Sequence, residues 1–296
     1  MTTPGEVPTC YRHPNRETYV SCVRCGRPIC PDCMREASVG QQCVECVREG
    51  NQGVRQARNT FGGRATSPQA GAVVTYALIG INVVLFLIEL VRPSLAVSWE
   101  MFGYAPYVNG GPLHGVAAGE WYRLITSAFL PPPVNGPNGT GYLGLMDIGF
   151  NMYALFIVGP SLERLFGGVR FLAIYLLSAL GGAVMYYYVV DPSQPALGAS
   201  GAIFGLFAAW FVVSRRLRVD ARGIVVLIGI NLMLGFVVPR VAWQDHVGGL
   251  LAGALIAAAY TYAPRKNQVL VQVAATALVF GLAIVAVILR THQLTG

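Results

Sequence analysis

The chain has 296 residues, 54% hydrophobic and only 12% charged, about half the charged fraction of an ordinary soluble domain. That balance excludes a single soluble globular domain and puts most of the chain in lipid. The net charge of +7 comes almost wholly from arginine, Lys266 being the only lysine; most of these cations flank apolar runs, where they set topology rather than bind nucleic acid.

The excess of apolar residues is uneven. All seven cysteines precede residue 50, whereas the long apolar runs follow residue 70, which marks two domains. The N-terminus lacks the charged start and apolar run of a signal peptide, so it is expected to stay in the cytoplasm.

The cysteines fall in close pairs, Cys22/Cys25, Cys30/Cys33 and Cys43/Cys46, and the seventh, Cys10, is completed by His13. A two-residue spacer lets both members of a pair face one ion, and four sulfur or imidazole ligands close the tetrahedral shell of structural zinc. Disulfides would need an oxidising compartment and would leave one cysteine unpaired. Eight ligands make two sites, and the short step from Cys25 to Cys30 favours interleaving. Cys10, His13, Cys30 and Cys33 then hold one Zn2+, and Cys22, Cys25, Cys43 and Cys46 the other. The head resembles a B-box-type zinc finger over residues 10–46, which implies a module that contacts a protein partner. Residues 1–49 are assigned to it. Residues 50–70, polar and glycine-bearing without apolar periodicity, read as a flexible linker.

Residues 71–290 carry seven stretches long and apolar enough to cross a bilayer. They run approximately over 71–91, 144–162, 169–190, 198–214, 223–238, 246–262 and 269–289, giving an all-α polytopic fold. One alternate set of connections holds Arg164, Arg170, Arg215, Arg216, Arg218, Arg222, Arg265 and Lys266, the other only Arg92, Arg123, Arg240 and Arg290. Arginine and lysine favour the cytoplasmic side. The head is therefore expected in the cytoplasm, the C-terminus on the opposite side of the cell membrane.

Ser200, in Gly198-Ala199-Ser200-Gly201, starts the fourth stretch and His246 opens the sixth. Both run inward, so their first turns can meet at one depth. An ionisable group at the edge of an apolar span marks a functional site, and a neutral imidazole there can take a serine proton. Asp245 precedes His246, but adjacent helical residues point about 100° apart, so it is a poor orienter for that ring. His114 and His292 show no partners in the sequence and read as solvated.

At these residues the chain resembles the rhomboid family of intramembrane serine proteases, over about residues 71–262 with a seventh span as in some members. Gly198-Ala199-Ser200-Gly201 matches the family nucleophile motif, and His246 with Gly249 and Gly253 matches its sixth-span pattern. The resemblance implies a Ser200–His246 dyad, Asn151 as an oxyanion donor, Phe204 packed on the histidine, and Glu163 as a structural acid at the end of the second span. Glu120-Trp121-Tyr122-Arg123 resembles the family's Trp-Arg signature; Trp121 and Tyr122 would also serve as interfacial anchors. It further implies substrates with transmembrane helices, entering past the second and fifth spans, and no cofactor for catalysis. The chain departs from the family at Asp147, where active members usually carry histidine. A rhomboid-like protein that binds membrane helices without cutting them is the alternative that Asp147 leaves open.

Overall fold

The structure is a computed structural model that describes residues 7–52, 59–63, 71–106, 113–133, 141–237 and 241–296. The chain divides into two compact units, Met1–Ala57 and Arg58–Gly296. Parts of the expected linker (53–58 and 64–70), most of the segment from Pro131 to Gly141, and Val238 lie outside the described residues.

The small unit is built on two antiparallel ribbons and one helix. β1 (Thr9–Cys10) pairs with β2 (His13–Glu17), and β3 (Met34–Glu36) pairs with β4 (Gln41–Cys43), which leads into α1 (Val44–Gln52). Its buried apolar cluster consists of six cysteines and Ile29. So few aliphatic side chains cannot offset the entropy of ordering the chain. The ligands take the place of a core.

The large unit opens with α2 (Val73–Val91), followed by the short helices α3 (Ser94–Trp99) and α4 (Arg123–Thr126), with the two-residue strands β5 (Ala105–Pro106) and β6 (Leu113–His114) between them. Five further long helices and one shorter helix follow: α5 (Tyr142–Phe166), α6 (Gly168–Val189), α7 (Ser200–Leu217), α8 (Arg222–Val237), α9 (Trp243–Tyr262) and α10 (Gln268–Thr295). Helices thus stand at all seven expected positions. Five of them, α2, α5, α6, α7 and α10, are long and apolar enough to cross a membrane by length and composition; α8 is shorter, and α9, with Gln244, Asp245 and His246 in its first turn, is not among the five. α9 starts three residues before His246, which places that residue in its first turn rather than at its cap.

Side chains such as Leu87, Phe150, Phe156, Met233, Phe236 and Leu282 are exposed. In water such a surface would aggregate; in a bilayer it faces lipid tails. The tightest packing joins α6, α7 and α9, and small residues line it. A Cβ placed on Gly249 would lie 2.6 Å from the carbonyl carbon of Gly201, and one on Gly253 would lie 2.7 Å from that of Gly205. Gly181 and Gly248 make a similar approach between α6 and α9. Lipid tails are as apolar as leucine, so helices in a membrane associate by such close van der Waals fit. α8 stands apart, burying only Ile224 and Gly235.

Residues 59–63, inside the expected linker, pack within the large unit. Phe61 is buried against Phe166 at 5.0 Å, and its carbonyl accepts a hydrogen bond from Gln272 Nε2 at 2.9 Å. Gln272 also donates to the Tyr260 carbonyl and accepts from Arg170 Nε. A single aromatic residue with two glycines after it, Gly62 and Gly63, gives no periodic signal, which is why the sequence places this segment with the linker.

The crossing glycines yield a direct test. Gly249→Val is expected to lower the thermal stability of the detergent-solubilised protein by overpacking, by about 1–3 kcal/mol or more. Gly229→Ala, where nothing lies within 4 Å, is expected to be neutral or slightly stabilising. Equal effects of the two would show that close backbone approach is not what joins α7 to α9.

Candidate functional site

Ser200 is the first residue of α7, directly after Ala199 at its N-cap, and Gly198 before it has a φ of +137° that favours glycine. The Gly198 N–H donates to the Ser127 carbonyl at 3.0 Å, which fixes the chain as it enters the helix. A Cβ on Gly198 would lie 3.5 Å from Ser200 Oγ and 3.6 Å from Asp147 Oδ2. The serine hydroxyl and the aspartate therefore flank the same small opening.

His246 is 7% exposed, and its ring lies flat on Phe204, with centroids 4.2 Å apart and planes 9° from parallel. Phe204 is one turn beyond Ser200 on α7, so the stack joins the first turns of α7 and α9. The Gly201–Gly249 contact lies beside it. Together they bring Ser200 and His246 to one end of the bundle, although the residues are 46 apart in sequence. His246 Nδ1 is buried with no hydrogen-bond partner. Asp245 does not hold that ring: its carboxyl packs between Gly182 and Gly201.

Asn151 is buried on α5, one turn after Asp147, and the two side chains share a hydrogen bond. The same α5 carries Glu163 near its C-terminal end. Glu163 accepts from the N–H groups of Val74 and Thr75 at 3.0 and 2.8 Å and from the Thr75 hydroxyl at 2.8 Å. It caps the first turn of α2, whose leading N–H groups have no partners within the helix. The sequence shows the acid but not the helix start that it caps, because the partners are 88 residues away.

The segment between α2 and α5 is held by a buried arginine. Arg123 is 1% exposed and donates to Glu120 at 2.8 Å and to the carbonyls of Val97 and Glu100 at 3.0 and 2.8 Å. Its guanidinium also lies over the Phe102 ring. Glu120 in turn accepts from the Gly115 N–H. His114, which the sequence suggests is solvated, is instead buried, edge-on to Phe102 at 4.5 Å and near Glu120. Gly115, which follows it, is a tight-turn residue rather than a sign of exposure, with a φ of +112°.

In the head, Cys10, His13, Cys30 and Cys33 form one cluster and Cys22, Cys25, Cys43 and Cys46 another, the ligand atoms of each lying within 4.8 Å of one another. His13 Nδ1 stands 3.8, 3.3 and 3.5 Å from the sulfurs of Cys10, Cys30 and Cys33. Cys25 and Cys43 sulfurs are 3.8 Å apart. A tetrahedral ion with metal–sulfur bonds of about 2.3 Å sets ligand atoms roughly 3.8 Å apart, so both clusters fit zinc. The interleaved grouping is the one that the spacing favours.

Comparison with known proteins gives a consistent picture. A family model described as the rhomboid domain matches residues 118–263. The chain is 33% identical over 190 residues to "Rhomboid protease GluP" of Bacillus subtilis (strain 168), a match covering 62% of this chain and 34% of that protein. It is 31% identical over 189 residues to "Putative rhomboid protease YdcA" of the same organism, covering 62% of this chain and 86% of the other. "Rhomboid protease AarA" of Providencia stuartii is 29% identical over 233 residues, with coverage of 67% and 76%. The chain thus spans about a third of the length of GluP and most of the other two.

Two outcomes follow from this geometry. Metal analysis is expected to find about two zinc ions per chain, fewer in Cys25→Ser, and a chelator is expected to make residues 7–52 protease-sensitive; resistance after complete metal removal would contradict a metal-built core. Burial works against ionisation of Glu120, but Arg123 and the Gly115 N–H outweigh it and hold its carboxyl below the usual range. Its contribution is therefore present above the ordinary carboxylate pKa of about 4.3 and is lost as pH falls through the lowered value. Proteolysis of the α2–α5 connection is expected to accelerate on acidification in wild type. In Glu120→Gln it should already be fast at neutral pH and change little further.

Proposed function

The chain belongs to the rhomboid family, and from that premise we propose that it is an intramembrane serine protease acting on proteins with transmembrane helices through a Ser200–His246 dyad. The observation that carries this reading is the stack of His246 on Phe204 in the first turn of α9, beside the glycine crossing that sets the N-terminus of α7 against it. The proposed orientation keeps the zinc head in the cytoplasm and opens the site toward the opposite surface. The head is proposed to bind a protein partner, its zinc ions holding its fold and taking no part in catalysis.

In the proposed reaction Ser200 Oγ attacks the scissile carbonyl while His246 takes its proton. The imidazolium then returns that proton to the leaving amine, and a water molecule, deprotonated by His246, releases the acyl group. The first step needs the neutral imidazole, the form that can take a proton. In this mechanism the Ser200 N–H at the start of α7 and the Asn151 amide donate to the developing oxyanion. Asp147 stands at the same opening. Its protonated form donates to an oxyanion, whereas its ionised form repels one. Substrate helices enter past α5 and α8, a route that the loose packing of α8 supports.

The test uses the full chain in detergent with a fluorophosphonate probe and a model transmembrane substrate. Ser200→Ala is expected to lose both labelling and cleavage, and Asn151→Ala to lower kcat by roughly 10²-fold or more. Asp147→Asn, which cannot ionise, is expected to retain cleavage at neutral pH. Labelling that persists in Ser200→Ala would remove the assigned nucleophile. A folded wild type with neither labelling nor cleavage would favour a protein that binds membrane helices without cutting them.

A further inference from the structure

The cations at the end of the bundle far from Ser200 are of two kinds. Arg164 and Arg170 serve the fold: Arg164 Nε donates to the Pro160 carbonyl and Arg170 Nε to Gln272. Arg215, Arg216, Arg218 and Arg222 instead stand exposed where α7 ends and α8 begins, and Arg265 and Lys266 stand exposed just after α9. The Arg216 guanidinium lies over the Tyr262 ring, 5.6 Å from its centroid, and so joins the two connections. The one acid in them is Asp220, whose carboxylate accepts the Arg222 N–H at 2.9 Å. Among the described residues, no ion pair links any of the six cations to a carboxylate. Such a cluster repels itself until an anion joins it.

Arg218 carries the second observation. It caps α7 in the left-handed region with a φ of +59°, and among the described residues it is the only non-glycine with a positive φ. Glycine or asparagine ends a helix there with less strain, because the Cβ of other residues crowds the backbone. Topology accounts for arginine in this connection but not for arginine at its one strained position. An outlier of this kind points to a role outside folding. Its neighbours on either side, Leu217 and Val219, are 44% and 58% exposed. Cations set among exposed apolar side chains at the end of membrane helices fit an amphiphile with an anionic head better than a soluble polyanion. The 18 residues of α7 separate Arg218 from Ser200 by about 27 Å along the helix, so the cluster belongs to the membrane surface opposite the one nearest Ser200.

We propose that the ends of α7 and α9, with the start of α8, form a binding site for the headgroup of an acidic phospholipid. The phosphate accepts hydrogen bonds from the arginine side chains of the α7–α8 connection, whose planar forks suit phosphate oxygens. Arg265 and Lys266 add charge from the second connection, and Leu217 and Val219 meet the upper acyl carbons. Binding removes the repulsion among the cations. It also ties the start of α8, which buries only Ile224 and Gly235, to its two neighbours. The site needs only that the helices span a membrane and does not rest on the protease reading.

The test titrates the full chain, in a zwitterionic detergent, with phosphatidylglycerol or phosphatidylcholine. Native mass spectrometry reads bound lipid, and the melting temperature reads stabilisation. Wild type is expected to prefer phosphatidylglycerol by roughly tenfold or more and to melt higher in its presence. Arg218→Gly separates the two roles. Without acidic lipid it is expected to melt at or above the wild-type temperature, because the backbone strain is relieved, yet its affinity for phosphatidylglycerol should fall roughly fivefold. Adding Arg215→Gln and Arg222→Gln should abolish the preference, whereas Arg92→Gln, an exposed cation at the other end of the bundle, should leave it intact. Equal binding of both lipids by wild type, or undiminished phosphatidylglycerol binding in Arg218→Gly, would overturn the site. So would a lower melting temperature of lipid-free Arg218→Gly, which would show the arginine serving the fold. Stabilisation of wild type by inorganic phosphate at the same concentration would overturn the lipid as its occupant.

Discussion

Much of the large unit depends on how closely two helices can approach in lipid. α7 and α9 cross with Gly201 against Gly249 and Gly205 against Gly253; a Cβ on Gly249 or Gly253 would run into the backbone of α7, while one on Gly201 or Gly205 would first meet the side chain of Asp245 or Ser178. In a bilayer the apolar effect does not drive such contacts, so the closeness of fit must do it. The consequence is positional. The N-terminus of α7 and the first turn of α9 are held at one end of the bundle, and Ser200, Phe204, Asp245 and His246 all belong to those turns. In the proposed mechanism the catalytic geometry is a by-product of a glycine seam.

Around this seam the polar residues divide into supports and, in the proposed mechanism, reactants. Glu163 caps α2, Arg123 gathers the carbonyls of the α2–α5 connection, and Gln272 joins Phe61, Tyr260 and Arg170. Each satisfies buried backbone groups that would otherwise cost several kcal/mol apiece in an apolar medium. Asn151, Asp147, Asp245 and His246 are different. In the proposed mechanism Asn151 and His246 act on the substrate beside Ser200, and His246 Nδ1 has no protein partner. The head is a separate solution to the same problem of ordering a chain, with two Cys/His clusters that fit metal ions in place of an apolar core.

Much of this was legible in the sequence because it is local. Apolar stretches mark helices, two-residue spacers mark metal ligands, and the short motifs Gly198-Ala199-Ser200-Gly201 and His246 with Gly249 and Gly253 mark the starts of two helices. What was hidden is long-range. That Glu163 caps a helix 88 residues earlier, that Phe61 belongs to the large unit, and that His114 is buried all depend on contacts between distant segments, which no local pattern records. Asp245 shows the limit most sharply. Its place in a helix rules it out as an orienter of His246, but only the positions of Gly182 and Gly201 reveal where its carboxyl goes.

The juxtaposition of Ser200 and His246 is most directly tested with a chloroisocoumarin, which acylates a nucleophilic serine and then exposes a second electrophile that alkylates a group within a few ångströms. Peptide mass spectrometry of the treated protein is predicted to find one bridged species that joins the Ser200 peptide to the His246 peptide. Acylation at another serine, or acylation at Ser200 with alkylation at a residue away from the first turn of α9, would contradict it.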